Sequence, residues 1–342
     1  MKVCASCFND IELKEFIKLN SLEKGRCDYC SNDIESEILG IDKLFFFFRE
    51  FLGIFKENED GEKLIEVISD DWNLFSGNDI AYAVLSDILS SIDSPVSKPE
   101  QTVSYIEEII ENVSYWGELK GKLKWESRFL TNTDPLFDLG WDSFFNKTST
   151  FPSGEELYRA RIHSEGGQST FDLEEMGCPA KEKVTSGRAN PNGIPYLYLS
   201  KTPETTLYET RAAYLDEISI GKFRIKEDKK IVLVDFTEEV SSFLNFENII
   251  DYTKSVLLKK QISIDLSKPI RRYDSELEYI PTQFICEFIR YITGADGILF
   301  NSSLHEDGKN IVLFNEDKVK CISVEKHQVT KVSIESGWIP NY

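Results

Sequence analysis

The sequence of 342 residues is poor in basic side chains. It contains 39 Lys and Arg against 59 Asp and Glu, and its formal net charge is −20 at pH 7. Non-specific binding to DNA or RNA requires a basic surface, so this balance argues against a nucleic-acid-binding protein. Because 41% of the residues are hydrophobic and 12% are aromatic, the chain can build hydrophobic cores, which excludes a disordered acidic protein. The length predicts about two domains.

The sequence also lacks a long hydrophobic run. Its most apolar stretch, residues 44–48, ends at Arg49 and Glu50, whereas a membrane-spanning helix needs about 20 predominantly apolar residues. The first residues contain no apolar segment typical of a secretion signal. We therefore expect a cytoplasmic protein that has no membrane partner.

Several common motifs of nucleotide-binding proteins and metalloenzymes are absent. No Gly-x-Gly-x-x-Gly follows a predicted strand, and the chain contains neither a Walker loop nor a His-Glu-x-x-His motif. Histidine itself is scarce, with His163, His305 and His327 as its three occurrences. A Rossmann dinucleotide fingerprint is thus lacking.

The negative charge is concentrated in the first part of the chain. Residues 1–150 contain 15 basic and 29 acidic side chains, a net charge of −14, whereas residues 151–342 contain 24 and 30, a net charge of −6. An anionic small-molecule substrate is better accommodated in the second part, where local Arg and Lys residues can supply a positive pocket.

Four of the seven cysteines form two Cys-x-x-Cys pairs. Cys4 and Cys7 are separated from Cys27 and Cys30 by 19 residues, a spacing typical of zinc ribbons. Four thiolates satisfy a tetrahedral Zn²⁺ ion and leave no open coordination position, so we predict a structural zinc knuckle over residues 1–35. Two reduced pairs without a metal are the alternative. The other three cysteines are scattered and are expected to be buried thiols.

Hydrophobic periodicity predicts an α+β protein with two contrasting parts. Residues 36–148 are expected to form an α-helical bundle with helices over 36–55, 79–92 and 100–116. Residues 151–330 are expected to form a mixed α/β domain, and residues 331–342 a C-terminal tail. The predicted strands of residues 151–330 are 196–200, 218–225, 231–236, 297–301 and 311–315. The predicted helices of the same part are 203–214, 240–259 and 275–293.

Polar residues in the turns of the second part form a candidate binding site. Arg188 and Asn190 lie in a turn-rich loop over residues 187–193. Tyr198 lies in the predicted strand that follows, and Glu209 lies on the next predicted helix. Such residues are most often solvated or core side chains when they are considered singly, so their joint arrangement carries the prediction.

Further polar residues precede and follow this group. They are Tyr158-Arg159-Ala160-Arg161, Pro281-Thr282-Gln283 with Glu287, and the Ser302-Ser303 pair after the strand at 297–301. In its order and spacing the whole set, over residues 155–325, resembles the RES domain family, which is named for its Arg, Glu and Ser signature. The intervals of 10 residues from Arg188 to Tyr198 and 11 from Tyr198 to Glu209 match the family pattern. RES domains occur as the toxins of RES–Xre toxin–antitoxin pairs.

The resemblance implies an ADP-ribosyltransferase-like fold and an enzyme that consumes NAD⁺ by cleaving the nicotinamide–ribose bond. Transfer of ADP-ribose to water, phosphate or a protein would make it a glycohydrolase, a phosphorylase or an ADP-ribosyltransferase, and the three stay open. The biological role implied is that of a toxin or defence effector. A non-catalytic nucleotide-binding interaction protein is the alternative of a different class.

The resemblance also implies roles for individual residues. The guanidinium of Arg188 offers a planar, permanently charged fork to the pyrophosphate of NAD⁺. The ring of Tyr198 can stack on nicotinamide or face its ribose. The carboxylate of Glu209 can stabilise positive charge on the ribose as nicotinamide leaves, and Ser302 completes the predicted catalytic set as a hydrogen-bonding residue. Bracing of the site is an equal alternative to ligand contact for Gln283. The predicted substrate-binding residues are Arg159, Asn190, Gln283 and Ser303.

The N-terminal part resembles accessory regions, some related to HEPN bundles, that are fused to such toxin-like domains. Catalytic HEPN ribonucleases carry an Arg-x(4–6)-His motif, and residues 36–148 contain no histidine. We therefore expect a non-catalytic regulatory, sensing or assembly role for this part. An antitoxin, an activating partner and a homo-oligomer stay open as means of regulation.

Overall fold

The computed structural model describes residues 1–30, 35–146, 148–237, 241–268 and 276–333. The chain divides into two compact units, the first comprising Met1–Glu118 with Glu239–Leu258 and the second Leu119–Glu238 with Lys259–Tyr342. The domain boundaries that the sequence predicts near residues 35 and 148 stay predictions. Within the described ranges, no helix is both long and apolar enough to cross a bilayer.

The helices and strands are numbered in chain order. Up to residue 125 they are β1 (Lys2–Cys4), α1 (Ile11–Asn20), β2 (Glu23–Gly25), β3 (Ser36–Gly40), α2 (Phe45–Leu52), β4 (Phe55–Lys63), α3 (Leu64–Val67), α4 (Asn78–Ser91), β5 (Thr102–Tyr105) and α5 (Glu107–Trp125). After it they are α6 (Asp134–Asp138), α7 (Trp141–Phe144), β6 (Thr148–Phe151), β7 (Glu156–Ile162), β8 (Leu197–Ser200), α8 (Pro203–Glu209), β9 (Glu217–Ile225), β10 (Ile231–Asp235), α9 (Ile249–Ser267), α10 (Ile280–Thr293), β11 (Gly297–Asn301), β12 (Lys309–Leu313) and β13 (Val319–Gln328).

The first unit combines helices with two small antiparallel sheets, of order β1-β3-β2 and β4-β5. Its core is rich in aromatic side chains because α2 carries successive phenylalanines. The fully buried rings of Phe47 and Phe51 stack with centroids 5.4 Å apart, and the ring of Phe51 meets Trp72 edge-on at 5.3 Å. Such pairs add to the free energy gained from burial.

The predicted helical bundle over residues 36–148 is only partly correct. The helix expected over 79–92 is confirmed as α4, but the expected helix over 36–55 is wrong at both ends. Ile38 and Leu39 belong to β3 because they pair with β1, and Phe55 begins β4. The helix expected over 100–116 begins only at Glu107, because residues 102–105 pair with β4 as β5. Long-range strand pairing outweighs local helical periodicity in these segments.

A segment from the second half of the sequence completes the core of the first unit. Ile249 is buried there, and the ring of Phe243 contacts Phe16 and Phe47 at centroid distances of 5.0 and 5.2 Å. The buried carboxylate of Asp10 accepts hydrogen bonds from the Ser241 hydroxyl at 3.0 Å and from the backbone N–H of Leu13, which it caps at the start of α1.

The second unit is built on an eight-stranded mixed sheet of order β13-β9-β7-β8-β12-β11-β10-β6. Its neighbouring strands pair antiparallel except β10 and β11, which are parallel. This mixed sheet with helices confirms the predicted mixture of α and β structure. The five predicted strands are present within two residues at each end, whereas β6, β7 and β13 were not predicted. The helix expected over 275–293 corresponds to α10. The helix expected over 240–259 is misplaced, because α9 begins only at Ile249 and continues to Ser267, and the helix expected over 203–214 already ends at Glu209 as α8. Residues 240 and 275, and 334–342 of the predicted tail, lie outside the described residues.

Candidate functional site

A cavity of about 340 Å³ lies in the second unit, beside neighbouring strands β7, β8 and β12 and the helices α8 and α9. Its volume is in the range of small-molecule sites. Four of the sequence-predicted residues, Arg159, Arg188, Tyr198 and Glu209, line this one cavity. The other lining residues are Tyr158, Ala160, Gly187, Leu199, Ser200, Thr206, Thr210, Leu266, Ser267, Phe300, Asn310 and Ile311.

Arg159, on β7, places a largely buried positive charge in the cavity wall. Its Nη1 donates to the backbone carbonyls of Met176, at 3.3 Å, and Gly177, at 2.9 Å. Among the described residues no carboxylate oxygen lies within 4.0 Å of it. Burial lowers the pKa of Arg159 to about 10, with the neighbouring Arg161 acting in the same direction, so the side chain is still charged at neutral pH. An anionic ligand would compensate this charge.

Arg188 reaches the cavity from the segment between β7 and β8. Its Nη1 donates to the backbone carbonyl of Asp265 at 3.3 Å, and its guanidinium lies 6.0 Å from the ring centroid of Tyr279. Burial lowers the pKa of Arg188, although Tyr279 and Glu209 favour its charged form. The residue before it must be glycine, because a Cβ at Gly187 would lie 2.7 Å from the Tyr198 hydroxyl oxygen.

The loop that carries Arg188 is held by two side-chain amides. The buried amide of Asn190 donates from Nδ2 to the carbonyls of Thr185, Pro191 and Ile194. The Nε2 of Gln283 donates to the carbonyls of Gly187 and Asn190 and to a serine hydroxyl. Neither amide lines the cavity, and both hold the backbone of the loop; the predicted contact of Asn190 and Gln283 with substrate stays a prediction.

Tyr198, on β8, connects this loop to the sheet. Its hydroxyl donates to Asn190 Oδ1 at 2.7 Å and accepts from the backbone N–H of Ala189 at 3.0 Å. Burial is the main cause of the raised pKa of Tyr198, so the hydroxyl stays neutral and available as a donor. The hydroxyl thus holds the loop, while the side chain contributes to the cavity wall.

Glu209 is the last residue of α8. The helix begins as its sequence predicts, with Thr202 as the N-cap that accepts from the N–H of Thr205 and Pro203 in the first turn. Glu209 Oε1 accepts a hydrogen bond from Ser302 Oγ at 2.6 Å and another from Asn310 Nδ2 at 2.7 Å. The carboxylate is therefore oriented through one oxygen, while Oε2 receives no hydrogen bond from the described residues.

The predicted serines have different neighbours. Ser302 does not line the cavity but contacts Glu209, and its Oγ also accepts the backbone N–H groups of Leu304 and His305, each at 3.2 Å. Ser303 donates from its hydroxyl to the carbonyl of Ser267 at the end of α9. The structure thus associates Ser302 with the carboxylate and Ser303 with the backbone of the cavity wall.

Asn310 is a site residue that the sequence prediction did not assign. It lies on β12, and its Oδ1 accepts a hydrogen bond from Ser200 Oγ at 2.9 Å while its amide holds Glu209. Ser200 and Asn310 are direct cross-strand neighbours. The available signal was an Asn directly before the apolar run at residues 311–313, because a polar side chain buried beside such a run requires hydrogen-bond partners.

The four cysteines of the predicted zinc knuckle converge in the first unit. Their sulfur atoms all lie within 4.8 Å of one another, with Cys4–Cys7, Cys4–Cys30 and Cys7–Cys27 separations of 3.9, 3.5 and 3.4 Å. A tetrahedral zinc site with Zn–S bonds of 2.3 Å has sulfur–sulfur separations of about 3.8 Å. The cluster could therefore hold a metal ion of that kind.

The fold and the cavity define a mixed α/β domain with a candidate small-molecule site. A family model described as "RES domain" matches residues 156–334, and this chain belongs to that family, as its sequence resemblance predicts. None of the curated proteins compared with the chain matches it. Among solved structures, one chain in the crystal structure of the M. tuberculosis MbcT–MbcA toxin–antitoxin complex is similar to this protein. The match covers 65% of this chain and 93% of the chain in the complex, with 9% sequence identity and a TM-score of 0.28. That likeness is too weak to support an argument.

Proposed function

We propose that this protein is an NAD⁺-consuming enzyme that cleaves the bond between nicotinamide and ribose, and that it acts as a toxin or defence effector. Membership of the RES family suggests the substrate. The observation that carries the proposal is the convergence of Arg159, Arg188 and Glu209 on one cavity. Two partly buried cations suit an anionic dinucleotide, and an oriented carboxylate suits a reaction that develops positive charge.

In the proposed reaction the C1′–N bond breaks and its electron pair leaves with nicotinamide, which becomes neutral. Positive charge then develops on the ribose, and a carboxylate placed beside it stabilises the transition state more than the ground state. Glu209 is suited to this because Ser302 and Asn310 fix its orientation before the substrate arrives. Arg188 and Arg159 would hold the phosphates, and the ring of Tyr198 would border the nicotinamide ribose. We extend the proposal to an ADP-ribosyltransferase-like fold for the RES domain.

The direct experiment measures free nicotinamide after purified full-length protein is incubated with NAD⁺, with and without inorganic phosphate. We expect release by the wild type and a loss of about 10²-fold or more in Glu209→Gln. Glu204→Gln, on the exposed side of α8, is the matched control and should retain activity. Dependence on phosphate would identify a phosphorylase, and radiolabel on protein from labelled NAD⁺ would identify a transferase. Equal release by wild type and Glu209→Gln would contradict the proposal.

For the first unit, we propose that Cys4, Cys7, Cys27 and Cys30 hold a structural Zn²⁺ ion. Their softness, their number and the spacing of their sulfur atoms fit zinc. When bound, the ion would crosslink the start of the chain to the β2–β3 region, and the thiolates would have no role in the proposed reaction. Residues 36–148 would then serve regulation or assembly, without a catalytic motif of their own.

A further inference from the structure

A second, more polar cavity of about 180 Å³ lies in the same unit and shares Arg188 with the candidate active site. Helix α5 contributes Lys120 and Lys124 to it, and residues at the end of α9 and the start of α10 form the rest of its wall. Among the described residues, its lining consists of Lys120, Lys124, Arg188, Asp265, Lys268, Glu278, Tyr279, Pro281 and Thr282.

This second cavity is positively charged in an otherwise acidic protein. Of the described side chains that line it, four are basic and two are acidic, a formal balance of 4 − 2 = +2, whereas the whole chain carries −20. Lys124, whose side chain is 17% exposed, pairs with Glu278 at 2.7 Å, and Lys120 pairs with Asp265 at 2.8 Å. The ion pairs fix the ammonium groups at the wall and leave the cavity with a positive excess.

Arg188 lines both cavities, so its guanidinium can contact a ligand in either of them. Its guanidinium has several donors in a planar fork, which can bind phosphate oxygens on more than one side. Asp265 contacts both cations at this boundary, because its carbonyl accepts from Arg188 and its carboxylate pairs with Lys120. A ligand that extends from the first cavity past Arg188 would meet the lysines of the second.

The lysines of α5 lie outside the segment that defines the family. The family model begins at residue 156, whereas α5 ends at Trp125. The basic wall that α5 supplies is therefore a feature of this chain that the match to the RES domain does not account for. Ammonium groups act as compact point charges and are common phosphate ligands in proteins.

We propose that the second cavity is a phosphate subsite, in which Lys120, Lys124 and Lys268 bind the adenosine-side phosphate of the dinucleotide's pyrophosphate beside Arg188. This inference rests on the proposed function for the identity of the substrate. It assigns to α5 the task of binding the part of the substrate remote from the bond that breaks. Loss of such a contact should raise KM and leave kcat close to the wild-type value.

The test uses ADP-ribose, which carries both phosphates and lacks nicotinamide, as a probe in calorimetric titrations of the full-length protein. We expect Lys124→Gln and Lys120→Gln each to weaken ADP-ribose binding about tenfold, because a hydrogen bond to a charged group is lost. Lys122→Gln, a lysine of the same helix that does not line the cavity, should bind as the wild type does. If Lys124→Gln alone fails to fold, the double variant Lys124→Gln with Glu278→Gln takes its place in the experiment, because it removes both partners of the ion pair.

The outcomes separate this subsite from the proposed reaction. Wild-type affinity for ADP-ribose and wild-type KM for NAD⁺ in both lysine variants would overturn the subsite, even if nicotinamide is released. Lysine-dependent binding of ADP-ribose without release of nicotinamide would support the subsite and contradict the proposed function. A wild-type protein that neither binds ADP-ribose nor releases nicotinamide would contradict both.

Discussion

The hydroxyl of Ser302 donates a hydrogen bond of 2.6 Å to Oε1 of Glu209, although 93 residues separate them in sequence. The amide of Asn310 donates to the same oxygen at 2.7 Å, so β11, β12 and α8 meet at one carboxylate. A group held in this way needs little reorganisation when charge develops beside it, which is the basis of electrostatic preorganisation. The relationship explains how Ser302 can serve the site without lining the cavity.

The first prediction concerns the two donors to Glu209. Ser302→Ala and Asn310→Ala should each lower kcat/KM for nicotinamide release by about tenfold, because each removes a hydrogen bond to a charged group. Since both donors fix one carboxylate, we expect the double variant to lose less than the sum of the two single losses in free energy. Steady-state kinetics of all three variants measures this coupling. Asn301→Ala, at the exposed end of β11, is the control, and strict additivity would argue against a shared role.

The second prediction concerns the hydroxyl of Tyr198. Tyr198→Phe leaves the N–H of Ala189 and the Oδ1 of Asn190 without their partner, which should lower the free energy of unfolding by about 1–3 kcal/mol. The loop that carries Arg188 should loosen, and KM for NAD⁺ should rise more than kcat falls. The control is Tyr196→Phe, since no hydrogen bond joins the buried Tyr196 hydroxyl to the described part of the loop that carries Arg188. Denaturant unfolding compares the two, and equal effects would indicate that the hydroxyl of Tyr198 has no special role.

The third prediction concerns the cysteine cluster. Purified protein should contain one Zn²⁺ per chain, and removal by a chelator should lower the midpoint of thermal unfolding by at least about 5 °C, because binding of a structural metal contributes to folding. Cys4→Ser should lose the metal, whereas Cys321→Ser, a half-buried cysteine outside the cluster, should keep it. Metal release should increase as the pH falls, since protons compete for the thiolates. A metal-free protein with the same unfolding midpoint would contradict a structural zinc site.

Local sequence patterns anticipated the elements whose boundaries depend on local chemistry. Thr202 and Pro203 predicted the start of α8, and the periodicity around Val84 predicted α4. By contrast, residues 36–40 and 102–105 form strands because distant strands pair with them. A helical period in one segment holds no information about such partners.

In the candidate site, too, the sequence indicated which residues take part but not which groups they contact. The sequence predicted Arg159, Arg188, Tyr198 and Glu209 because their order along the chain resembles the RES family. All four line one cavity. The roles of Asn190 and Gln283 were less accessible from sequence. An amide can bind a ligand or a backbone carbonyl, and which of the two it contacts depends on the folded loop.

The fourth prediction concerns the balance between stability and binding at Arg159. Burial lowers the pKa of this guanidinium to about 10, so keeping it charged in the folded state at neutral pH costs free energy. The cost is present below the lowered pKa and disappears as the pH rises through it towards the unfolded value. Arg159→Met should therefore leave the free energy of unfolding at pH 7 within about 1 kcal/mol of the wild-type value, or raise it, because a buried uncompensated charge is replaced by an apolar chain.

The same substitution should weaken binding of ADP-ribose about tenfold or more, because a charge-assisted contact to the ligand is lost. Arg224→Met is a matched control, since Arg224 is more exposed and pairs with Glu156 at 2.7 Å outside the cavity. Parallel denaturant and calorimetric titrations measure both quantities at pH 7. A marked loss of stability with unchanged affinity would instead show that Arg159 serves the fold, through its hydrogen bonds to Met176 and Gly177, and that its charge is not used for the ligand. If the cation is retained for binding, Arg159→Met should weaken the binding of ADP-ribose while the free energy of unfolding stays the same or rises.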